Sequence, residues 1–200
     1  MKSVSFLILM VVYLNDSYSQ IRVGLKAGTN LSNIAIDAPV DHKMKVGFHA
    51  GGIMQIRLSE KIVFQPELLF SQKGFEAPSI SFIENQTESL NYISIPVLLG
   101  YNTGKNFSIL LGPEVGFLVS ATSKTGDLKF NVTDSYKKVD LGIDLALAYM
   151  IKHIGLDVRY NYGVTNLGKV LIRDRDGNTT YGATTKNRML QIGVFYSLSK

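Results

Sequence analysis

Val139-Asp140-Leu141-Gly142-Ile143-Asp144-Leu145-Ala146-Leu147-Ala148-Tyr149 alternates without a break: each odd position is apolar and large, each even one acidic or small. A helix would spread this pattern around its circumference, whereas a strand sends successive side chains to opposite faces. The segment is therefore a strand with one apolar face and one small or charged face. The same period of two runs through most of the chain. Ile21, Val23, Leu25 and Ala27 oppose Arg22, Gly24, Lys26 and Gly28, and Val46, Phe48, Ala50, Gly52, Met54, Ile56 and Leu58 oppose Lys45, Gly47, His49, Gly51, Ile53, Gln55 and Arg57. Ile62, Phe64, Pro66, Leu68 and Phe70 oppose Val63, Gln65, Glu67, Leu69 and Ser71. Phe107, Ile109, Leu111, Pro113, Val115, Phe117 and Val119 oppose Ser108, Gly112, Glu114, Gly116 and Ser120. Ile154, Leu156, Val158, Tyr160, Tyr162 and Val164 oppose Gly155, Asp157, Arg159, Asn161, Gly163 and Thr165, and Leu190, Ile192, Val194, Tyr196 and Leu198 oppose Gln191, Gly193 and Ser197. Leu90–Tyr101 is apolar on both faces and leaves its own parity open.

With that segment the strands number eight, most of them 9 to 14 residues long. Short connections fall near Ser59-Glu60, at 102–105 and at 151–153; long ones fall near 29–43, 74–88, 122–135 and 167–187. In an up-and-down meander every second connection lies at the same end, so three short turns and both termini share one end and four long loops the other. An even strand count lets such a sheet close and lose its edges. Short turns on one side and long loops on the other is the asymmetry of bacterial outer-membrane barrels.

Period two does not say which face is outside. Three observations place the apolar face against lipid. The opposite face is rich in Gly with scattered charges, which suits a narrow lumen better than a solvated surface. Strands of about 9–11 residues cross a bilayer when tilted. Aromatic residues on the apolar face form two groups: Phe64, Tyr101, Phe107, Tyr149 and Tyr196 toward the short turns, and Phe48, Phe70, Phe117, Tyr160 and Tyr162 toward the long loops, as two membrane interfaces require.

Upstream, Lys2, an apolar run from Val4 to Leu14 and the small and polar Asn15-Asp16-Ser17-Tyr18-Ser19 spell a signal peptide. Residues 1–19 are expected to be removed and 20–200 to form the barrel domain. The 200 residues are 46% hydrophobic and 18% charged, which excludes a disordered chain. With no Cys, neither a disulfide framework nor a Cys-based zinc module is available. The formal net charge of +5 comes from scattered bases, so a nucleic-acid partner is not indicated.

Several stretches also carry a family resemblance. Val23-Gly24-Leu25-Lys26-Ala27-Gly28-Thr29-Asn30, Gln65-Pro66-Glu67-Leu68-Leu69-Phe70, Asn91-Tyr92-Ile93-Ser94-Ile95-Pro96, Leu111-Gly112-Pro113-Glu114-Val115-Gly116-Phe117 and Asp157-Val158-Arg159-Tyr160-Asn161-Tyr162-Gly163 resemble the PorT-like outer-membrane β-barrel domain of Bacteroidetes. The resemblance implies the barrel fold, residence in the cell outer membrane and, through some family members, an association with protein secretion.

Candidate chemistry lies on the inner face. Arg22, Lys26, Lys45, Arg57 and Arg159 stand against Glu67, Glu114, Asp140, Asp144 and Asp157. Charge in a narrow lumen is costly unless paired, so Lys26, Arg57, Glu67, Glu114, Asp144, Asp157 and Arg159 are expected to form a structural charge network. Glu67 and Glu114 each follow a proline and precede a Phe by three; their other reading is a carboxylate pair for acid–base work or a cation path. Pro66, Pro96 and Pro113 are expected to mark bulges, since proline is rare in a paired strand. Three histidines, His42, His49 and His153, show no ligand spacing, so no metal site is expected; Gly47-Phe48-His49-Ala50-Gly51-Gly52 opens no helix, so no phosphate loop or cofactor is expected either. Arg173-Asp174-Arg175-Asp176-Gly177-Asn178 reads as a polar loop tip. The sequence therefore points to an all-β, eight-stranded antiparallel up-and-down transmembrane barrel, with the lipid bilayer and other envelope or secretion proteins as partners. Two other readings remain: a soluble lipocalin-like binding barrel with the apolar face inside, and a membrane-embedded enzyme.

Overall fold

The computed structural model describes residues 21–36, 43–77, 86–104, 106–167, 169–173 and 179–198. The expected signal peptide, His42, and positions 174–178 of the polar loop lie outside the described residues. The strands are β1 (Ile21–Ile36), β2 (Lys43–Arg57), β3 (Ile62–Ala77), β4 (Gln86–Gly104), β5 (Phe107–Thr125), β6 (Leu128–Asn131), β7 (Val139–Ile151), β8 (Ile154–Gly163), β9 (Lys169–Arg173) and β10 (Thr179–Ser197). Eight of them pair antiparallel in the order β1-β2-β3-β4-β5-β7-β8-β10, and β10 pairs back onto β1, so the sheet closes. The short β6 and β9 extend hairpins on β5 and β10.

The register defines the cylinder. Ile21 pairs with Ile56, then in turn Phe64, Leu99, Leu111, Leu145, Tyr160, Leu190 and finally Leu31. One circuit of the wall thus returns to β1 ten residues further along. Ten residues of rise over eight strand spacings tilt the strands about 40° from the axis. Every residue on that circuit is apolar. Among the described residues, Leu25, Leu68, Leu99, Leu111, Leu145, Ile192 and many others of the outward face are large, hydrophobic and exposed. That face cannot rest in water, and it removes the lipocalin-like reading, in which it would line the interior.

The height of the apolar band follows from the same strands. On β3 it runs from Ile62 to Phe70 and on β4 from Ile93 to Tyr101. At the tilt above, nine residues rise about 23 Å, close to the lipid-facing band of an outer-membrane barrel. Directly beyond it the outward face turns polar: Gln72 donates to Asn91 and Asn91 to Ser120, at 3.1 and 2.9 Å, a side-chain ladder across β3, β4 and β5. All ten aromatic residues expected in the two belts stand on the outward face, with the Phe48 and Phe70 rings packed at 5.5 Å between centroids and tilted by 34°.

The turns at one end are tight. Ser59 Oγ accepts from the backbone N–H groups of Lys61 and Ile62, and Lys152 takes a left-handed φ of 56° between β7 and β8. The other end differs from expectation. Strands reach 19 residues, and much of the four segments expected as loops is paired: β1 continues to Ile36, β4 starts at Gln86, β5 and β6 form a hairpin, and β10 starts at Thr179. Hairpins continue past the lipid, where the regular alternation of apolar and polar residues lapses, as in Thr122-Ser123-Lys124-Thr125 of β5, and no longer reports a strand.

Two further expectations are corrected. No register shift occurs at Pro66, Pro96 or Pro113; the β3–β4, β4–β5 and β5–β7 registers are constant through them, with partners skipped near Pro66 and Pro96. A proline removes one donor without requiring an extra residue. Among the described residues the register shifts lie elsewhere: in β2 between Met44 and His49, in β5 at Val119, where Asn91 pairs with Ser120 and Tyr92 with Leu118, at the end of β4 between Asn102 and Gly104, and in β10 between Thr179 and Tyr181. The Val119 bulge moves Ser120 off the inner face and puts Ala121 and Ser123 there. The parity of β4 is also settled: Leu90, Tyr92, Ser94, Pro96, Leu98 and Gly100 point inward.

Candidate functional site

Inward side chains stack in layers along the barrel axis. At the short-turn end lies an open cavity of about 430 Å³, bordered by residues of β1, β2, β3, β4, β5, β7 and β10. Above it Ile53, Leu98, Leu110, Ala146, Ala148 and Phe195 form an apolar cluster. Small wall residues make room for it: the Phe195 ring covers the position a Cβ on Gly155 would take, and Val63 covers that of Gly100.

The next layer is ionic. Arg159, 1% exposed, reaches Glu67 at 2.5 Å, Asp144 at 3.3 Å and Asp157 at 3.7 Å. Lys26 lies 2.6 Å from Asp157 and 3.5 Å from Glu67. Amides complete the carboxylates: Gln65 donates to Glu67 and Asn161 to Asp144, each at 2.6 Å. A second ionic group stands further up. Lys73 binds Glu114 at 2.9 Å and Asp140 at 3.1 Å, and lies 5.2 Å from the centre of the Tyr92 ring. Asn187 donates to Asp140 at 2.7 Å and Ser94 to Glu114 at 3.4 Å. A second apolar cluster, Leu90, Tyr92, Leu118, Ala121 and Leu167, lies toward the long-loop end.

The structure thus brings together six of the seven residues expected in a network, in two groups: Lys26, Arg159, Glu67, Asp144 and Asp157 in one, Glu114 with Asp140 in the other. Arg57 is in neither; it is the last residue of β2, below the apolar layer, and exposed at the rim of the cavity. Arg22 borders the same cavity. Lys45 is buried and donates to Gln72 at 3.1 Å. Lys73 is the residue that sequence reasoning missed. Continuing the inward parity of β3 from Ser71 by one step reaches it, but the strand was expected to end there.

Glu67 and Glu114 do not form a carboxylate pair. Each is held by its own cation, because β3 and β5 are separated by β4 and the two side chains lean to different neighbours. The cluster around His49 likewise has the wrong form for nucleophilic catalysis. Asn30 donates through Nδ2 to Phe48 O, Ser71 Oγ and Gln72 O, so its Oδ1 accepts from His49 Nδ1 at 2.7 Å and from Gln191 at 3.2 Å. That network assigns the proton to Nδ1 and leaves Nε2 an acceptor. His49, Ser71 and Asn30 are at most 1% exposed, with an apolar cluster toward each end of the lumen.

The row His49–Gly28–Gly193–Asp157 crosses four neighbouring strands. A Cβ on Gly193 would lie 2.5 Å from Asp157 Oδ1 and 3.0 Å from His49 Nε2. The two glycines therefore hollow the wall where Lys26, His49 and Asp157 converge.

A family model described as outer membrane protein beta-barrel domain matches residues 15–168. No curated protein matches the sequence. Among solved structures, Neisserial surface protein A is similar at 13% identity and a TM-score of 0.55, with 88% of this chain and 97% of that one covered. The attachment invasion locus protein Ail of Yersinia pestis is 15% identical, TM-score 0.48, covering 88% and 99% of the two chains. OprG of Pseudomonas aeruginosa is 13% identical, TM-score 0.41, covering 90% and 95%.

Proposed function

The chain belongs to the outer membrane protein beta-barrel domain family, and from that premise we propose that it serves the cell envelope as a closed barrel that engages other envelope proteins through its rims, with neither an open pore nor a catalytic centre in its lumen. The observation that carries this reading is the layered interior. Two apolar clusters flank ion-paired groups whose carboxylates and cations are nearly all committed to one another. Eight strands leave an interior about filled by side chains, which agrees with this layering.

The reading includes export by residues 1–19 and a barrel domain over 20–200. The resemblance to the PorT-like barrels favours a secretion-associated role among the possible envelope roles, and the rims are the surfaces available for it. The ion-paired residues Lys26, Glu67, Glu114, Asp144, Asp157 and Arg159 are then structural: they hold the wall in register and fill it.

Reconstitution of the refolded chain into planar bilayers tests the proposal. We expect a flat current trace at voltages that drive ions through open barrels. Stable ohmic steps from the wild-type chain, abolished by changing Arg159 or Lys73, would overturn it and make the ionic layers a conduction path.

A further inference from the structure

The cavity at the short-turn end differs in chemistry from the layers above it. Above the apolar cluster, six buried carboxylates (Glu67, Glu88, Glu114, Asp140, Asp144, Asp157) stand against four buried cations (Lys26, Lys45, Lys73, Arg159), of which Lys26, Lys73 and Arg159 are ion-paired. Below it the balance reverses: Arg22, Arg57 and Lys152 border the cavity with a single carboxylate, Glu60. Among the described residues none of these three cations lies within ion-pair distance of a carboxylate. Arg22 Nη1 instead donates to the thioether of Met150 at 3.3 Å, a weak acceptor for a guanidinium.

We propose that this cavity is a binding site for a small oxyanion, a phosphate or carboxylate group carried on a short apolar stem. Arg22 and Arg57 supply planar donor forks suited to such a group, and Lys152 adds a mobile ammonium from the turn between β7 and β8. Neutral donors stand beside them. Ser108 donates to Asn102 Oδ1 at 2.7 Å, which turns the Asn102 Nδ2 donor away from that bond and makes it available. The inner wall is apolar, formed by Val63, Leu110, Ala148 and Phe195, and fits a stem rather than a second charge. At about 430 Å³ the space is that of a small ligand, near the lower end of the usual range of roughly 300–1,000 Å³.

Two amides of the cavity wall direct their donors inward. Gln55 donates to Gln65 at 2.7 Å, and Gln65 donates to Glu67, so this amide relay hands its donors toward the ionic layer and connects the cavity's wall to Glu67. An occupant's negative charge at the rim is felt by that relay, while the apolar cluster keeps the occupant itself out of the lumen. Two sources offer the same chemistry here: a free small anion, and the headgroup of an anionic phospholipid reaching over the rim.

The test uses the refolded chain, labelled with ¹⁵N, in a non-ionic maltoside detergent, titrated with hexyl phosphate and, separately, inorganic phosphate. We expect saturable shifts of the Asn102 and Gln55 side-chain amides and of the Ser108 and neighbouring backbone amides, tighter for hexyl phosphate, and weakened by added salt. The R22Q/R57Q double variant should bind at least tenfold more weakly, and K138Q, at an exposed cation on the opposite end, should bind as the parent does. Migration of the unheated variants on a gel reports that each is folded. If R22Q/R57Q fails to fold, R57Q alone, at an exposed position, should still weaken binding several-fold. Non-saturable shifts, or equal affinity in the folded Arg variants, would overturn the proposal. The same titration in nanodiscs separates the sources: loss of hexyl phosphate binding when phosphatidylglycerol replaces phosphatidylcholine identifies the lipid headgroup, and unchanged binding identifies the free anion.

Discussion

Arg159 is the residue on which the lower ionic layer turns, since three carboxylates face one guanidinium. Replacing it by Ala leaves buried charge uncompensated, which costs about 3–5 kcal/mol; urea unfolding in detergent micelles should show that loss, whereas Arg57→Ala, exposed and outside the layer, should stay within about 0.5 kcal/mol. Gly193→Ala tests the hollow beside it. The added methyl would press on an Asp157 held in place by Lys26, and we expect a loss of about 1–3 kcal/mol in the same assay. The imidazole of His49 should show the ¹⁵N pattern of the Nδ1–H tautomer at neutral pH; a proton on Nε2 would contradict the Asn30 network. At this scale the sequence was informative about orientation and silent about partnership. Strand parity placed Lys26, Glu67, Asp144, Asp157 and Arg159 on the inner face. Which cation meets which carboxylate depends on register between strands distant in sequence, and Lys26 and Asp157 meet only because β10 stands between their strands.

Elements were legible where one face met lipid and one met the lumen, and became illegible where that contrast ended. β7 could be read residue by residue. The upper halves of β5 and β10 could not, because Thr122, Ser123, Lys124 and Thr125, or Thr184, Thr185, Lys186 and Asn187, offer no apolar face to alternate. The Val119 bulge was hidden for another reason: Leu118 and Val119 are both apolar, so the sequence does not say which is the extra residue. A pair of deletions tests the assignment. Removing Val119 takes out the bulged residue and keeps Leu118 and Ala121 facing inward, so the barrel should fold with a loss of about 1 kcal/mol or less. Removing Val115 instead flips all that follows to the wrong face up to the bulge. That chain should yield no heat-modifiable band.

For the whole molecule, the decisive surface is the circuit of apolar residues through Leu111, Leu145 and Tyr160. Leu145→Arg places a charge on the lipid face and should cost about 2–4 kcal/mol in a bilayer if it lies near the midplane, measured by reversible unfolding in vesicles. An unchanged stability would mean that this face does not meet hydrocarbon. The strand count, the antiparallel order and the polarity of the two faces were readable in advance because each follows from local pattern. The shift of ten residues around the wall was not, since it is a sum over eight pairings and no single strand records it.

Closure by β1 and β10 has a consequence for biogenesis. The seam joins Gly24–Ile36 to Thr185–Ser197, the two ends of the barrel domain. A ribosome must therefore finish the domain before the cylinder can exist, and any chain released short of β10 keeps two unsatisfied edges. Such a product has no stable resting place in hydrocarbon, where each unpaired backbone group costs several kcal/mol. The cross-seam bond from Gln191 to Asn30 forms only when the last strand has arrived in its proper alignment.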